Sequence, residues 1–218
     1  MKYNFGVIFD MDGVLVHSNP VHKETIKDFF IKYNQEVSNT FLEERVWGRT
    51  NKEWIPEVFG NVSVDRTEQL ADEKEQMFRD RFDPHSAFIP GIKEFIKELN
   101  NYGVRTAVAT SAPGENAEFI LTELKIKEYF SVILDSSDVD KGKPEPQVYL
   151  KAAERLRFPA SQCIVFEDSL AGVEAGVRAG AKVVGVSSTH SAEELSGCAM
   201  VITDFLELTV DDLVDVGA

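Results

Sequence analysis

The chain has 218 residues, 43% apolar and 28% charged, which suits a globular protein with one sizeable core or a core plus a smaller insert. A formal net charge of −14 and a pI near 4.7 argue against loose binding to nucleic acid or an anionic membrane, since both would repel it. No apolar run approaches the roughly 18 residues of a membrane span, and with only Cys163 and Cys198, and no charged–apolar–small opening, a reducing cytoplasm is the expected compartment.

In chain order, FGVIF (5–9) is the first predicted strand, and it ends in Asp10 and Asp12. From Ser18 to Pro84 no strand is predicted. This interval holds amphipathic stretches such as Ile26, Phe29, Phe30 and Tyr33, then the charged run ADEKEQMFRDRF (71–82), and reads as an all-helical insert. Because it leaves and re-enters near Asp10, it is expected to act as a lid. Pro90-Gly91 marks the return, before a helix carrying Ile92, Phe95, Ile96 and Leu99. Then follow the strand VRTAVAT (104–110), a helix over Ala117, Ile120, Leu121 and Leu124, and the strand SVIL (131–134). An acidic loop (Asp135, Asp138, Asp140) leads to KGKPEP (141–146) and a helix over Tyr149, Ala152, Ala153 and Leu156. CIVF (163–166), AKVVGV (181–186) and a weaker AMVI (199–202) complete the predicted strands.

Near-continuous Val and Ile suits strands covered on both faces, and strand–helix alternation points to a parallel α/β sheet. The expected fold is a Rossmann-like, doubly wound sheet over 1–17 and 85–218, with a small helical cap over 18–84 inserted after the first strand.

Ligands of such sheets bind outside the carboxyl ends of the strands. There the sequence puts Asp10 and Asp12, then Thr110 and Ser111, then Lys143, then Glu167 and Asp168. Four carboxylates in one crevice would push some of their pKa values up, and one lysine is too little compensation. A hard divalent ion with oxygen ligands solves this, and Mg²⁺ is the natural choice where phosphate completes the coordination. The same parts suit phosphoryl transfer through an aspartyl-phosphate. A carboxylate attacks phosphorus, Lys143 and the metal neutralise charge, and Thr110 or Ser111 donates to the phosphate. Asp12 handles the leaving-group and water protons, and Gly13 permits the tight turn. Alone, Thr110 and Ser111 would read better as caps for the helix beginning near Glu115; within this constellation phosphate binding is favoured, and both roles can coexist. The small face Gly172, Ala175, Gly176 and Ala179 reads as packing that fixes Asp168, and Lys74 as part of a solvated charge run.

DMDGVL (10–15), TS (110–111), GKPEP (142–146) and FEDSLAGVEAG (166–176) together resemble the four motifs of the haloacid dehalogenase superfamily. With the insert, the chain is similar to its β-phosphoglucomutase-like phosphatases and mutases. The resemblance implies Asp10 as nucleophile, Asp12 as acid/base, Thr110 as phosphate ligand and Lys143 as the stabilising lysine. It implies Mg²⁺ held by Asp10, the Asp12 carbonyl and Asp168, with Glu167 beside it. Candidate substrate contacts are Ser111, Ala112, His22, Arg49 and Asn51. HSNPVH (17–22) departs from the family's DSEPLH, His22 matching and His17 replacing an aspartate. In WGRTNKEW (47–54), Asn51 stands where the mutase has its phosphate-gripping arginine, and Trp47 where the pyrophosphatase branch has a glutamate. Trp47 and Trp54 are expected to pack within the cap, Trp47 with the option of lining a pocket mouth.

The expectation is therefore a Mg²⁺-dependent phosphatase of a small phosphorylated metabolite of the sugar-phosphate kind. It would be a monomer or weak dimer with no nucleic-acid or membrane partner. β-Phosphoglucomutase is the alternative and inorganic pyrophosphatase a more distant one. A non-enzymatic phospho-receiver shares Asp, Mg²⁺, Thr and Lys but lacks such an insert.

Overall fold

The computed structural model describes residues 3–46 and 49–217, so the expectations for Trp47 and its neighbour Gly48 lie outside the described residues. Six parallel strands form one sheet: β1 (Gly6–Phe9), β2 (Arg105–Ala109), β3 (Val132–Leu134), β4 (Cys163–Glu167), β5 (Lys182–Val186) and β6 (Met200–Ile202). Their order is β3-β2-β1-β4-β5-β6, with helices on both faces. The order reverses between β1 and β4, which makes the space above their carboxyl ends the crevice of a doubly wound sheet.

The two faces of the sheet are built differently. Ile8 of β1 and Val165 of β4 pack with Ala152 and Leu156 of α7 (Gln147–Leu156) and Ala175 of α8 (Leu170–Arg178). The alternate residues point to the other side. There Phe9 stacks on Phe166 with ring centroids 5.0 Å apart, and Phe95 of α5 (Ile92–Asn101) meets Phe166 edge-on at 5.8 Å. Aligning Phe9 with Phe166 requires the β1–β4 register that also sets Asp10 beside Glu167, since Asp10 N donates to the Phe166 carbonyl at 3.0 Å. A 10-residue helix, α6 (Gly114–Glu123), follows β2, and α9 (Asp212–Gly217) ends the chain's described part.

The chain divides into two compact units, Met1–His17 with Pro84–Ala218, and Ser18–Asp83, so that Pro84 joins the sheet-bearing unit. In that unit the outgoing and returning segments pair: His17 N donates to the Ala87 carbonyl at 2.7 Å and Ile89 N to that of Leu15 at 3.2 Å.

The helical unit contains α1 (Asn19–Lys32), α2 (Asn39–Arg45), α3 (Asn51–Phe59) and α4 (Val64–Arg81). Its core gathers Ile26, Phe29 and Phe30 of α1, Leu42, Trp54, Ile55 and Leu70, with Trp54 edge-on to Phe30 at 5.4 Å. The expectation that Lys74 belongs to a solvated face is overturned. Lys74 is 3% exposed and Glu75 4%, paired at 2.6 Å, because Thr67, Leu70, Lys74 and Phe78 share the buried stripe of α4. No described helix is long and apolar enough to cross a membrane.

Candidate active site

Asp10 leaves β1 directly into a tight turn. Val14, Leu15 and Val16 all donate their amides to the Met11 carbonyl, and Gly13 N donates to Val16 O at 2.7 Å. Gly13 sits at φ +80°, a conformation open to glycine at no steric cost, as the turn demands. Asp10 and Asp12 thereby share the crevice end of β1, close enough that the Asp12 charge helps raise the Asp10 pKa.

Lys143 joins the strand ends. Its Nζ donates to Asp10 Oδ1 at 2.8 Å and Glu167 Oε1 at 2.6 Å, with all three side chains buried. Glu167 Oε1 also accepts from the Tyr149 hydroxyl at 2.9 Å. Glu167 Oε2 accepts from Asp168 N and Ser169 N, both at 2.8 Å, and from Ser169 Oγ at 3.0 Å. Five donors saturate this carboxylate. Gly172 makes room for it, since a Cβ there would fall on the Glu167 carboxyl group. The close approach expected of the small α8 face therefore seats Glu167 rather than Asp168, while Gly176 lies against Val183. Gly172→Ala is expected to displace Glu167 from Lys143, costing about 1–3 kcal/mol by overpacking and disrupting the site. Thermal unfolding beside a Gly197→Ala control, where an added Cβ meets open space, checks this, and a Gly172→Ala protein with unchanged Tm would contradict it.

The electrostatics follow from burial. Burial drives the Asp10 carboxyl up from 3.8 to about 7, Lys143 opposing and the Glu167 and Asp12 charges adding. Burial, then the Glu167 and Asp10 charges, lift Asp168 well above the usual range, with a Thr189 hydrogen bond and Lys143 pulling the other way. Burial alone would also raise Glu167, but Lys143 and the Ser169 and Tyr149 hydrogen bonds more than reverse it. The Lys143 ammonium overcomes its own burial through Asp10 and Glu167 and is held well above its ordinary value. The site thus holds one permanent cation and at least three acids.

Oxygen atoms of Asp10, Glu167 and Asp168 lie within 4.8 Å of one another. The donor set fits a hard divalent cation: burial raises the pKa of both Asp10 and Asp168, and a cation beside them would favour their ionised forms. Glu167, expected among the ligands, already has both oxygens committed, so the fit rests on Asp10 and Asp168. A pH test follows. Between about 3.8 and about 7 the folded metal-free protein binds a proton at Asp10 that the unfolded chain releases, so Asp10 lowers stability as pH rises through that window. Mg²⁺ would displace that proton, so its Tm increment should grow as pH rises through that window. An increment independent of pH would contradict the linkage.

Thr110 is buried, and its Oγ1 accepts from Ala112 N at 3.0 Å. Neither Thr110 nor Ser111 caps α6, whose N-cap is Pro113, so the capping reading of this pair is overturned. Ser111 is exposed and Ala112 buried beside it. In the helical unit, His22 stacks on Phe78 at 3.7 Å with its Nδ1 3.5 Å from Lys74 Nζ, and Asn51 Nδ2 donates to Glu75 Oε1 at 2.6 Å. His22 and Asn51 thus join one buried network through Lys74 and Glu75. Arg49 lies apart from it, bonded to Glu57 Oε1 at 3.0 Å and the Arg45 carbonyl at 3.1 Å.

Three residues were not legible as site residues in the sequence. Tyr149 read only as a helix core position. Ser188, whose hydroxyl donates to the Gly13 carbonyl, and Thr189, hydrogen-bonded to Asp168, follow β5. Inspecting the polar residues after the fifth strand, as after the first four, would have found this pair.

The sequence model of the haloacid dehalogenase-like hydrolases matches residues 7–186. Validoxylamine A 7'-phosphate phosphatase of Streptomyces hygroscopicus subsp. limoneus is 30% identical over 201 residues, 92% of this chain and 94% of that protein. The chloroplastic 5-amino-6-(5-phospho-D-ribitylamino)uracil phosphatase of Arabidopsis thaliana is 31% identical over 213 residues, 95% of this chain but 56% of that longer protein. The crystal structure of a HAD hydrolase, family IA, variant 3, from Entamoeba histolytica superposes with a TM-score of 0.87 at 28% identity, covering 98% of this chain and 99% of that one. With its motifs on one crevice of a doubly wound sheet, this chain belongs to the haloacid dehalogenase-like hydrolases.

Proposed function

We propose that the protein is a phosphatase of a small phosphorylated metabolite, working through an aspartyl-phosphate on Asp10. The carrying observation is the buried Lys143 ammonium bridging Asp10 and Glu167, with Asp168 within reach of the same point. The names of the two relatives above, phosphatases of a validoxylamine 7'-phosphate and of a phosphoribityl compound, support a phosphate monoester as substrate.

In this reading an Asp10 carboxylate oxygen attacks phosphorus and the phosphorus–ester oxygen bond breaks. Asp12, two positions on in the same turn, protonates the departing alkoxide. Asp12 then takes a proton from water as it attacks the phosphoryl group, the Asp10–phosphorus bond breaks, and inorganic phosphate leaves. Lys143 offsets charge on the transferring oxygens. Thr110, whose oxygen already accepts from Ala112 N, turns its O–H to the phosphate. Mg²⁺, held by Asp10, Asp168 and the Asp12 carbonyl, would supply the positive charge that keeps the acids ionised and draws the phosphoryl oxygens.

The test is a panel of phosphorylated metabolites with Mg²⁺, read as phosphate release. Release from sugar phosphates or related polyols is expected, and none from any ester would sink the proposal. β-Glucose 1-phosphate is run with and without glucose 1,6-bisphosphate. Bisphosphate-dependent isomerisation without net release would replace the phosphatase by a mutase.

A further inference from the structure

Tyr149 occupies the first turn of α7, six residues after Lys143, and it is fully buried. A phenylalanine would fill the same volume against the sheet, so packing alone does not call for a phenol. Burying its hydroxyl is costly unless a partner is supplied, and the partner here is the buried Glu167. Tyr149 Oη donates to Glu167 Oε1 at 2.9 Å, and the Lys143 ammonium lies over the Tyr149 ring, 4.9 Å from its centroid. One side chain therefore touches both Lys143 and the acid that shares it.

That double contact has a physical consequence. Lys143 comes from the irregular segment between Asp140 and α7, and a lysine stem is flexible, so its ammonium needs fixing at the far end. Glu167 Oε2 is fixed by Asp168 N, Ser169 N and Ser169 Oγ, all in its own chain turn. On Oε1 the donors are Lys143 and Tyr149. The phenol thus holds the one oxygen that Lys143 uses, while the ring face supports the cation.

We propose that Tyr149 is a positioning residue, its hydroxyl fixing Glu167 and its ring the Lys143 ammonium, so that Lys143 is delivered to Asp10. The kinetic part of this rests on the phosphatase reading; the placement of Lys143 does not.

Tyr149→Phe removes the hydroxyl and keeps the ring, and Tyr149→Leu removes both. Tyr149→Phe should lower kcat about tenfold, the worth of one hydrogen bond to a buried charge, with KM within about twofold. Tyr149→Leu should lower kcat further. Acetylation of Lys143 by acetic anhydride, read by peptide mass spectrometry against Lys93 in the same sample, should run several-fold faster in both variants. Circular dichroism and Tm verify that the Phe variant is folded. Wild-type kcat, or a Lys143 labelling rate unchanged in both variants, overturns the proposal. Faster Lys143 labelling in a protein whose wild type releases no phosphate from any ester upholds the positioning and removes only the phosphatase.

Discussion

Asp10→Asn loses phosphate release by about a thousandfold or more while the fold survives. Asparagine has the size of aspartate and leaves the main-chain bond from residue 10 to the Phe166 carbonyl in place. Its amide can still accept from Lys143, yet it cannot form the bond to phosphorus. The variant also carries a stability signature that a damaged fold would not produce. Burial, despite Lys143, raises Asp10 to about 7, so above that pH the folded metal-free protein carries a buried charge that costs it stability relative to the unfolded chain. Asparagine resembles the protonated form. In excess chelator at pH 8 the variant should therefore melt no lower than wild type, whereas with Mg²⁺ wild type should gain more. Phosphate release paired with thermal unfolding in both conditions checks this. Equal turnover in the two proteins would remove Asp10 from the chemistry.

Lys143→Met has the second large effect, and it falls on stability and turnover together. Methionine keeps much of the stem and removes the ammonium, leaving Asp10 and Glu167 as buried carboxylates without the cation that bonds both. Breaking a buried ion pair by deleting one partner costs about 3–5 kcal/mol. Protons can relieve part of that strain, so the loss relative to wild type should be smaller at pH 5 than at pH 8. Turnover should fall by about a hundredfold or more through lost stabilisation of phosphoryl charge. A variant with wild-type stability at pH 8 would mean that Lys143 does not neutralise this pair.

The sheet was legible because its strands read as short, near-continuous Val and Ile runs, and each predicted run contains or overlaps an observed strand. The crevice was legible for a topological reason: polar residues after the ends of buried strands converge wherever strand order reverses. Periodicity placed Tyr149 on the inner face of α7 but carries no information about where a phenolic oxygen ends up. Lys74 shows the opposite failure. Composition made residues 71–82 look solvated, although the spacing of Thr67, Leu70, Lys74 and Phe78 already described an inward stripe. Pairing with Glu75 is what permits the charge there, and no local pattern announces such a pair. Thr110 and Ser111 show that a hydroxyl near a helix start need not be its cap when proline supplies the extended conformation at that position.

The bond between Lys143 and Asp10 spans 133 residues of sequence, and the β1–β4 ladder reaches further still. During synthesis, then, β1 and Asp10 are complete long before β4 exists. Until β4 emerges and docks, Asp10 lacks the Glu167 charge that helps raise its pKa. The charge crowding around Asp10 is complete only once β4 has docked on β1, and chains ending before residue 163, which lack Glu167 and Asp168, are expected to release no phosphate.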